Sequence, residues 1–327
     1  MNNTILKQLL TEYEKTRLQN LRDLDARKKE LYAKNPRLEE IEKELNLASI
    51  SIAKSALLKT PSSENLQDKI NTLKSEREEI LKSLGKDLSY LNLQYNCNIC
   101  KDTGYVFHNS QTDMCNCLKQ KIFDTEFNKA NMGNLSKDTF ENFNINLFSN
   151  EVDANKYGCN ISPRENMEDI KMSCLKFVDN FSNPDGKNLL FSGSTGLGKT
   201  YLSNAIVSKL LEQGYTVLYQ TAPVMLDTLI SKMFKNDSSF SDNLLNVDLL
   251  VIDDLGTETI NSMKFTELYK IINTRLLNQN GKITKTIIST NLDLQGLYNT
   301  YDERLVSRFI GHYDIYRFFG DDIRFKI

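Results

Sequence analysis

The chain has 327 residues, of which 40% are hydrophobic and 26% are charged, and its formal net charge is −2. This length suffices for two domains, and the near-neutral charge excludes a uniformly polybasic protein, so any contact with nucleic acid must come from a local patch. No apolar run approaches the ~18 residues of a membrane span, and the first residues lack a signal-peptide pattern. With only six cysteines, four of them close together, these features predict a cytoplasmic protein without a membrane partner.

The N-terminal region, from Thr4 to about Tyr90, is predicted to form two or three long amphipathic helices. Apolar residues recur there at spacings of three and four, with charged residues on the other faces. Asn35-Pro36 and Thr60-Pro61 are the predicted breaks, with Ser62 or Ser63 capping the last helix. Such helices cannot bury their apolar stripes alone, so we expect them to pack on one another or on a partner.

Two closely spaced cysteine pairs follow these helices. Cys97 and Cys100 form a C-x-x-C pair, and Cys115 and Cys117 form a C-x-C pair. Four thiolates at this spacing can surround one tetrahedral Zn²⁺, and a site with four protein ligands is structural because it leaves no open position for water. His108 lies between the pairs and is an alternative ligand. Disulfides or unrelated thiols are the other interpretations.

The boundary between two domains is predicted from a change in composition. A helix is expected from Lys119 to about Asn134, followed by a polar, broken stretch, and a new helix begins at Ser162-Pro163. These signals predict a helical and zinc-binding domain over residues 1–134, a linker over 135–163 and a second domain over 164–327.

The second domain contains a glycine-rich loop between an apolar strand and a helix, which is the setting of a P-loop. Glycines let backbone N–H groups surround phosphate oxygens, and the helix N-terminus adds partial positive charge. Lys199 is predicted to contact the β- and γ-phosphates of ATP or ADP, and the Thr200 hydroxyl to bind Mg²⁺. The nucleotide-binding residues of this loop are predicted to be Gly193, Ser194, Thr195, Gly196, Leu197, Gly198, Lys199 and Thr200.

A second motif of the same site is a buried-type strand that ends in two carboxylates. The run from Leu249 to Ile252 leads directly into Asp253 and Asp254, as in a Walker B motif. Asp253 is predicted to hold Mg²⁺, and Asp254 to orient or deprotonate the attacking water. Glu258 is a weaker candidate for that last role.

Alternation of strands and helices predicts a parallel sheet with helices on both faces. Ligands bind at the carboxyl ends of such strands, where the P-loop, Asp253 and Asn291 fall. Asn291 is therefore predicted to sense the γ-phosphate or position the water, and a strand-end cap is the alternative. The predicted elements after the P-loop are a strand at Tyr215–Tyr219, helices at Met225–Phe234 and from Phe265 to Leu277 ending near Gly281, and a strand at Thr286–Asn291.

Arg304 and Arg308 lie four residues apart, on one face of a predicted helix. They are either intramolecular salt-bridge partners or groups that reach the γ-phosphate of a neighbouring subunit.

From about Phe140 onward, the chain resembles the AAA+ helicase loaders of bacteria and phages, the DnaC/DnaI family. The resemblance rests on the P-loop, the Walker B strand with Leu255-Gly256, Ser289-Thr290-Asn291, the segment from Glu303 to Phe309 and the ending Gly320–Arg324. The cysteine pairs are similar to those of the DnaI-type branch. The resemblance implies a RecA-like AAA+ domain whose ATP hydrolysis is coupled to placing a ring helicase on single-stranded DNA.

By the same resemblance, Asn291 matches sensor 1, Arg308 matches the arginine finger with Arg304 beside it, and Arg324 matches sensor 2. The N-terminal region would bind the helicase, and the finger implies self-assembly through the ATPase domain. Asp254 stands where most AAA+ ATPases carry Glu, so hydrolysis is expected to be slow, and the usual C-terminal helical lid is not expected.

DNA contacts are predicted where positive charge and aromatic rings occur together. The candidates are Lys232, Phe234, Lys235, Lys264 and Phe265. For Phe265 alone, a place in the core is the preferred interpretation.

Three other functions remain open at this point. An IstB-like ATPase that assists a transposase shares the AAA+ core, although the cysteine pairs and the long helical region argue against it. A small-molecule P-loop kinase would need a substrate pocket with a lid. Because Asp254 predicts slow hydrolysis, a scaffold that is switched by ATP binding and hydrolyses little ATP is the third alternative.

Overall fold

The computed structural model describes residues 3–58, 64–108, 111–128, 137–259, 261–277 and 282–326. The predictions made for Thr60-Pro61, for Ser62 or Ser63, for residues 129–134 and for Gly281 lie outside these residues. The chain forms two compact units, one of residues 7–113 and one of residues 1–6 with 114–327. Within the described part of the chain, no helix is both long and apolar enough to cross a bilayer.

The first unit is mainly helical, as predicted. A helix break at Asn35-Pro36 is confirmed, since one helix ends at Lys34 and the next begins at Pro36. The apolar stripes of the second and third helices pack together, with Ile41 and Leu45 against Ile70. The elements are α1 (Asn3–Lys34), α2 (Pro36–Leu58), α3 (Glu64–Ser83), β1 (Tyr105–His108) and β2 (Gln111–Met114).

The second unit alternates helices and strands, as expected for an α/β domain. Its helices are α4 (Asn116–Glu126), α5 (Ala154–Tyr157), α6 (Pro163–Asp179), α7 (Lys199–Glu212), α8 (Ala222–Met233), α9 (Ser239–Asn246), α10 (Ser262–Leu277), α11 (Leu294–Thr300) and α12 (Glu303–His312). Its strands are β3 (Asn188–Gly193), β4 (Val217–Thr221), β5 (Leu249–Leu255), β6 (Lys285–Thr290) and β7 (Tyr313–Phe318).

These five strands form one parallel sheet in the order β4-β5-β6-β3-β7. The P-loop strand β3 lies between β6 and β7, and β6 lies between β3 and the Walker B strand β5. All carboxyl ends therefore meet at one edge, with the end of β6 between the P-loop and the acidic motif. The predicted parallel sheet is confirmed.

Both faces of the sheet are covered by helices, which explains why its strands read as nearly continuous apolar runs. Successive side chains of a strand point to opposite faces. Leu189 and Phe191 pack in the cluster that contains residues of α6 and α7, whereas Leu190 packs in the cluster that contains residues of α8 to α12. The predicted three-layer arrangement thus follows directly from the strand sequence.

The free edge of β4 is covered by two side-chain amides, one from α4 and one from Asn128, two residues after its C-terminus. Gln120 accepts a hydrogen bond from the Val217 N–H at 2.7 Å and donates to its carbonyl at 3.0 Å. Asn128 also donates to the Val217 carbonyl and accepts from the Tyr219 N–H, at 3.0 and 2.9 Å. The N–H and C=O groups of Val217 and the N–H of Tyr219 are therefore already hydrogen-bonded, so they cannot pair with a strand of another chain.

Residues 137–163, which were expected to belong to a linker, pack on the second unit. Phe140, Phe143 and Phe148 are buried in the cluster that contains α6 and α7. The polar residues between these rings conceal them in the sequence, because their spacing matches neither a helix nor a strand. Ser162 and Glu165 then form a capping box that starts α6.

Four short elements of the second unit were not predicted: α5, α9, α11 and β7. Their lengths of four, eight, seven and six residues give little periodicity to detect. The helix expected at Met225–Phe234 also begins earlier, at Ala222.

Candidate functional site

The P-loop connects β3 to α7 through a tight turn in which two glycines lie against neighbouring groups. A Cβ atom on Gly193 would lie 2.1 Å from the Phe318 carbonyl oxygen, and one on Gly196 would lie 1.9 Å from a carboxylate oxygen of Asp322. Both glycines have positive φ, 148° and 73°. Gly193 therefore requires glycine for reasons of space and of backbone conformation, and Gly196 requires it for its backbone conformation.

Lys199 begins α7 and points back into the loop. Its ammonium donates to the carbonyls of Gly193 (2.6 Å) and Ser194 (2.7 Å) and to the Asn291 side-chain oxygen (2.8 Å). Only 6% of the residue is exposed. Burial lowers the pKa of Lys199, and the nearby charges of Asp254 and Asp253 act in the opposite direction. The structure thus brings together Lys199 and Asn291, which are 92 residues apart in sequence.

Asp253, at the end of β5, accepts hydrogen bonds on both carboxylate oxygens. Its Oδ2 receives the hydroxyls of Thr200 (3.1 Å) and Tyr219 (2.7 Å). Its Oδ1 receives the Ser289 hydroxyl and the Asp254 N–H. Thr200 and Asp253, which were each predicted to bind Mg²⁺, are thus in direct contact.

Sequence reasoning did not identify Tyr219 and Ser289 as site residues. Both carry a hydroxyl within a strand of the sheet. Because both faces of the sheet are covered, such a hydroxyl must have a hydrogen-bond partner inside the protein, and this requirement is the signal that could have identified them. Burial, and then the charge of Asp253, raise the pKa of Tyr219, so the phenol stays protonated and donates.

Asp254 has a left-handed backbone conformation, with φ of 56°. It lies in an irregularity of the β5–β6 pairing between Ile252 and Leu255, and such bulges redirect side chains at strand ends. Burial and the charge of Asp253 raise the pKa of the Asp254 carboxyl, while Lys199 lowers it. The second acid is thus held in a strained conformation beside the first.

Glu258, the weaker candidate for activating water, is engaged elsewhere. It is buried, accepts the Gly256 N–H at 2.9 Å on one oxygen and accepts the Tyr301 hydroxyl on the other. Tyr301 directly precedes Asp302, the N-cap of α12. These contacts connect the loop after β5 to the helix that carries the two arginines.

Arg304 and Arg308 have partners within the chain. Arg304 pairs with Asp302 at 2.9 Å and lies over the Tyr269 ring. Arg308 donates to the Asn273 side chain at 3.0 Å and to the Tyr269 hydroxyl at 3.5 Å. Both arginines therefore lie against α10, and their role toward a neighbouring subunit stays a prediction.

Arg324, predicted as a sensor, lies close to the P-loop in the C-terminal 3-10 turn. Its guanidinium pairs with Asp322 at 2.6 Å, and the Ile323 N–H donates to the Gly196 carbonyl at 3.0 Å. The segment is thus attached directly to the loop, although Arg324 itself is engaged with the carboxylate.

The candidate DNA contacts have different surroundings. Lys232 and Lys264 are paired with Asp237 and Asp227, at 3.0 and 2.8 Å. Phe265 packs against the core, as preferred from the sequence, and its ring is stacked on Tyr269. The surroundings of Phe234 and Lys235 fit a contact best, because both are exposed, Phe234 to 75%.

The four cysteines predicted as zinc ligands lie together. The sulfurs of Cys97, Cys100, Cys115 and Cys117 all lie within 4.8 Å of one another. A tetrahedral Zn²⁺ with Zn–S bonds of ~2.3 Å places its sulfurs about 3.8 Å apart, so the donor set fits this ion. The Gly104 N–H donates to the Cys100 sulfur at 3.4 Å, as expected of a metal-binding turn. His108 is exposed on β1.

Magnesium also fits the residues at the end of β5. The Thr200 hydroxyl and the Asp253 carboxylate are adjacent oxygen donors, and Mg²⁺ is held in proteins by one or two such groups together with phosphate and water. A bound ion would supply positive charge to the phosphates of a nucleotide. Lys199 would supply a further cation there, and Asp254 is the acid next to Asp253.

A protein-family model for the IstB-like ATP binding proteins matches residues 148–325. The chain belongs to this family. The P-loop and both acids of the IstB-like domain lie within the matched residues.

Curated relatives include proteins of two kinds. The chain is 28% identical over 148 residues to the replicative helicase loader DnaC of Buchnera aphidicola subsp. Baizongia pistaciae, which is 44% of this chain and 58% of the relative. It is 31% identical over 106 residues to the putative ATP-binding protein of insertion sequence IS1162 from Pseudomonas fluorescens, 32% of this chain and 45% of the relative. The chain thus spans about half the length of the curated relatives it matches.

Among solved structures, a crystal structure of the DnaC helicase loader is similar to the chain. The sequence identity is 26%, the TM-score is 0.45, and the match covers 55% of this chain and 98% of the other. The predicted relationship to the DnaC-type proteins is confirmed at the level of the family by the IstB-like family model, together with the relatives named DnaC.

Proposed function

We propose that this protein is an ATP-dependent loader that acts in the cytoplasm and places a replicative DNA helicase on single-stranded DNA. One observation carries the proposal: Lys199, Thr200 and Asp253 meet in one site of an IstB-like domain, in a chain with relatives named replicative helicase loader. A cation, a hydroxyl and a carboxylate in this arrangement are the groups needed to hold the phosphates of ATP with Mg²⁺.

In this proposal the chain is an ATP hydrolase with slow turnover. Lys199 and the P-loop hold the phosphates of ATP or ADP, and Asp254 orients the attacking water. Asn291 and Arg324 respond to the γ-phosphate. Arg308, with Arg304 beside it, completes the site of an adjacent subunit when the ATPase domains assemble.

The N-terminal region over residues 1–134, with one zinc ion on its four cysteines, is the proposed helicase-binding part. Leu47 and Ile50 on α2 are among its exposed apolar residues, at 68% and 53% exposure. Exposed apolar residues on one helix are a common feature of protein contacts. Single-stranded DNA would contact the ATPase domain near Phe234 and Lys235.

A second candidate function is assistance to a transposase. Two observations favour it. The matching family model is that of the IstB-like ATP binding proteins, and one curated relative is the putative ATP-binding protein of insertion sequence IS1162. An ATP-switched scaffold with little hydrolysis is the third candidate, since aspartate at position 254 is a short acid.

Capture experiments distinguish these functions. The tagged full chain is mixed with the hexameric replicative helicase or with an IS21-type transposase of the same host, with ATP and Mg²⁺. We expect capture of the helicase and stimulated loading on a single-stranded DNA circle. Capture of the transposase alone would contradict the loader proposal and favour the second candidate.

Nucleotide binding is tested separately with Lys199→Ala. We expect this variant to lose most affinity for ATP while its thermal unfolding stays close to that of the wild type, because the ammonium contacts loop carbonyls and not the core. Lys187→Ala, which removes a cation paired with Asp314 away from the loop, is the matched control. Equal ATP affinity of both variants would refute the phosphate role of Lys199.

A further inference from the structure

The carboxylate of Asp253 is held by four donors, two on each oxygen. The Ser289 hydroxyl and the Asp254 N–H hold Oδ1, and the hydroxyls of Thr200 and Tyr219 hold Oδ2. A carboxylate with donors on both oxygens cannot rotate about its bond to Cβ without breaking them. Its orientation relative to the Thr200 hydroxyl is therefore fixed by the protein.

The two donors on Oδ2 differ in what else they do. The hydroxyl of Thr200 belongs to the P-loop and is itself one of the oxygens that fit Mg²⁺. Tyr219 comes from β4 and is a residue of neither the P-loop nor the acidic motif. It is thus the donor to Oδ2 that stays in place whatever Thr200 binds.

The phenol is rigidly supported. Only 1% of Tyr219 is exposed, and its ring lies in the cluster between the sheet and α7. Its backbone N–H donates to the side-chain oxygen of Asn128 at 2.9 Å, and this bond holds the edge strand against the segment just after α4. A donor that is held by packing and by a backbone contact keeps the oxygen it touches within a narrow range of positions.

We propose that Tyr219 is a positioning residue, whose phenol holds the Asp253 carboxylate in the orientation that binds Mg²⁺ with nucleotide. The inference rests on the proposed ATP-dependent function of the same site. Partners that orient metal ligands typically contribute about 10- to 100-fold to metal affinity or activity. Tyr219 thereby sets how strongly Mg²⁺ tightens nucleotide binding, without touching the nucleotide.

The test measures the dissociation constant of a fluorescent ATP analogue in EDTA and in Mg²⁺, with the full chain. The ratio of the two constants reports the contribution of the metal, independently of turnover. For Tyr219→Phe, which keeps the ring, we expect the ratio to fall about tenfold or more while the constant in EDTA stays unchanged. Tyr313→Phe removes a buried phenol from β7, the opposite edge strand, and should keep the wild-type ratio.

The outcomes separate this inference from the proposed function. A wild-type ratio in folded Tyr219→Phe overturns the positioning role, and so does an equal fall in Tyr313→Phe. Failure of the wild type to bind the analogue in either buffer contradicts the ATP-dependent function itself. If Tyr219→Phe does not fold, Ser289→Ala tests the same carboxylate from its other oxygen, and an unchanged ratio there overturns the inference.

Discussion

The backbone of Asp254 is left-handed, and substitution at this position should separate stability from activity. The conformation is fixed on both sides, since its N–H donates to Ser289 at 3.1 Å and its carbonyl accepts from the Thr257 hydroxyl at 2.8 Å. A residue with a Cβ costs about 1–2 kcal/mol in this region, whereas glycine adopts it freely. Glycine also loses more conformational entropy on folding than alanine does, and this cost of roughly 0.5–1 kcal/mol offsets part of its advantage.

From these values, Asp254→Gly should be more stable than Asp254→Ala by about 1 kcal/mol, the reverse of the usual ranking of the two residues. For a domain of this size the difference corresponds to ~2–4 °C in melting temperature. The chain has no tryptophan, so unfolding is followed by circular dichroism or tyrosine fluorescence. If the alanine variant is as stable as the glycine variant, the left-handed conformation is refuted.

Charge at position 254 has its own effect on stability. Burial and Asp253 raise the pKa of the Asp254 carboxyl above its ordinary value of 3.8. A raised folded-state pKa favours folding below the unfolded value, and that contribution is lost as the pH rises through the folded value. Asp254→Asn removes the ionised form, so we expect it to be more stable than the wild type at pH 7 and to lose this advantage toward pH 4.

Turnover should respond in the opposite direction. If Asp254 orients the water, the glycine, alanine and asparagine variants all lose most phosphate release at saturating ATP, while nucleotide affinity changes little. Asp185→Asn removes one charge from an exposed turn and is the control for net charge. Normal turnover in Asp254→Asn would show that another group activates the water.

Three further predictions concern the edge strand, the cysteines and the arginines. Asn128→Ala leaves buried backbone groups of β4 without their side-chain partner, so we expect a loss of roughly 1–3 kcal/mol in unfolding free energy and more aggregation by light scattering. Elemental analysis should find one zinc per chain in the wild type and in His108→Ala but none in Cys97→Ser, and the converse result would indicate a histidine ligand. Lys199→Ala mixed with Arg308→Ala should recover part of the DNA-stimulated ATPase, and no recovery at any ratio, with assembly verified, would exclude a finger acting between subunits.

The sequence was sufficient for the parts of the site that are contiguous motifs. The P-loop and the acids after β5 each combine a strand period with special residues, and the parallel sheet follows from their alternation with helices. Asn291 could be placed because it directly follows a strand whose carboxyl end must lie at the same edge. These predictions needed only local patterns and the rule for where such sheets bind ligands.

The rest depends on which strands become neighbours. Tyr219 reaches Asp253 because β4 pairs with β5, with Thr221 opposite Asp253. No local pattern around Tyr219 indicates that pairing, and a tyrosine in an apolar strand usually indicates core packing. The buried phenylalanines of residues 137–163 escaped prediction for a similar reason, because their partners on α6 and α7 come later in the chain.

The position of β6 connects the two halves of the site. Ser289 lies within this strand and holds the Asp253 carboxylate, whereas Asn291, two residues later, holds the Lys199 ammonium. Asn291 lies directly after the end of β6, so one short segment contacts the acid and the cation together. A phosphate that binds Lys199 must compete with Asn291 and with two loop carbonyls for the same ammonium. A phosphate in the P-loop should therefore affect Asn291 first, and through this segment Ser289 and the carboxylate of Asp253, the acid proposed to bind Mg²⁺.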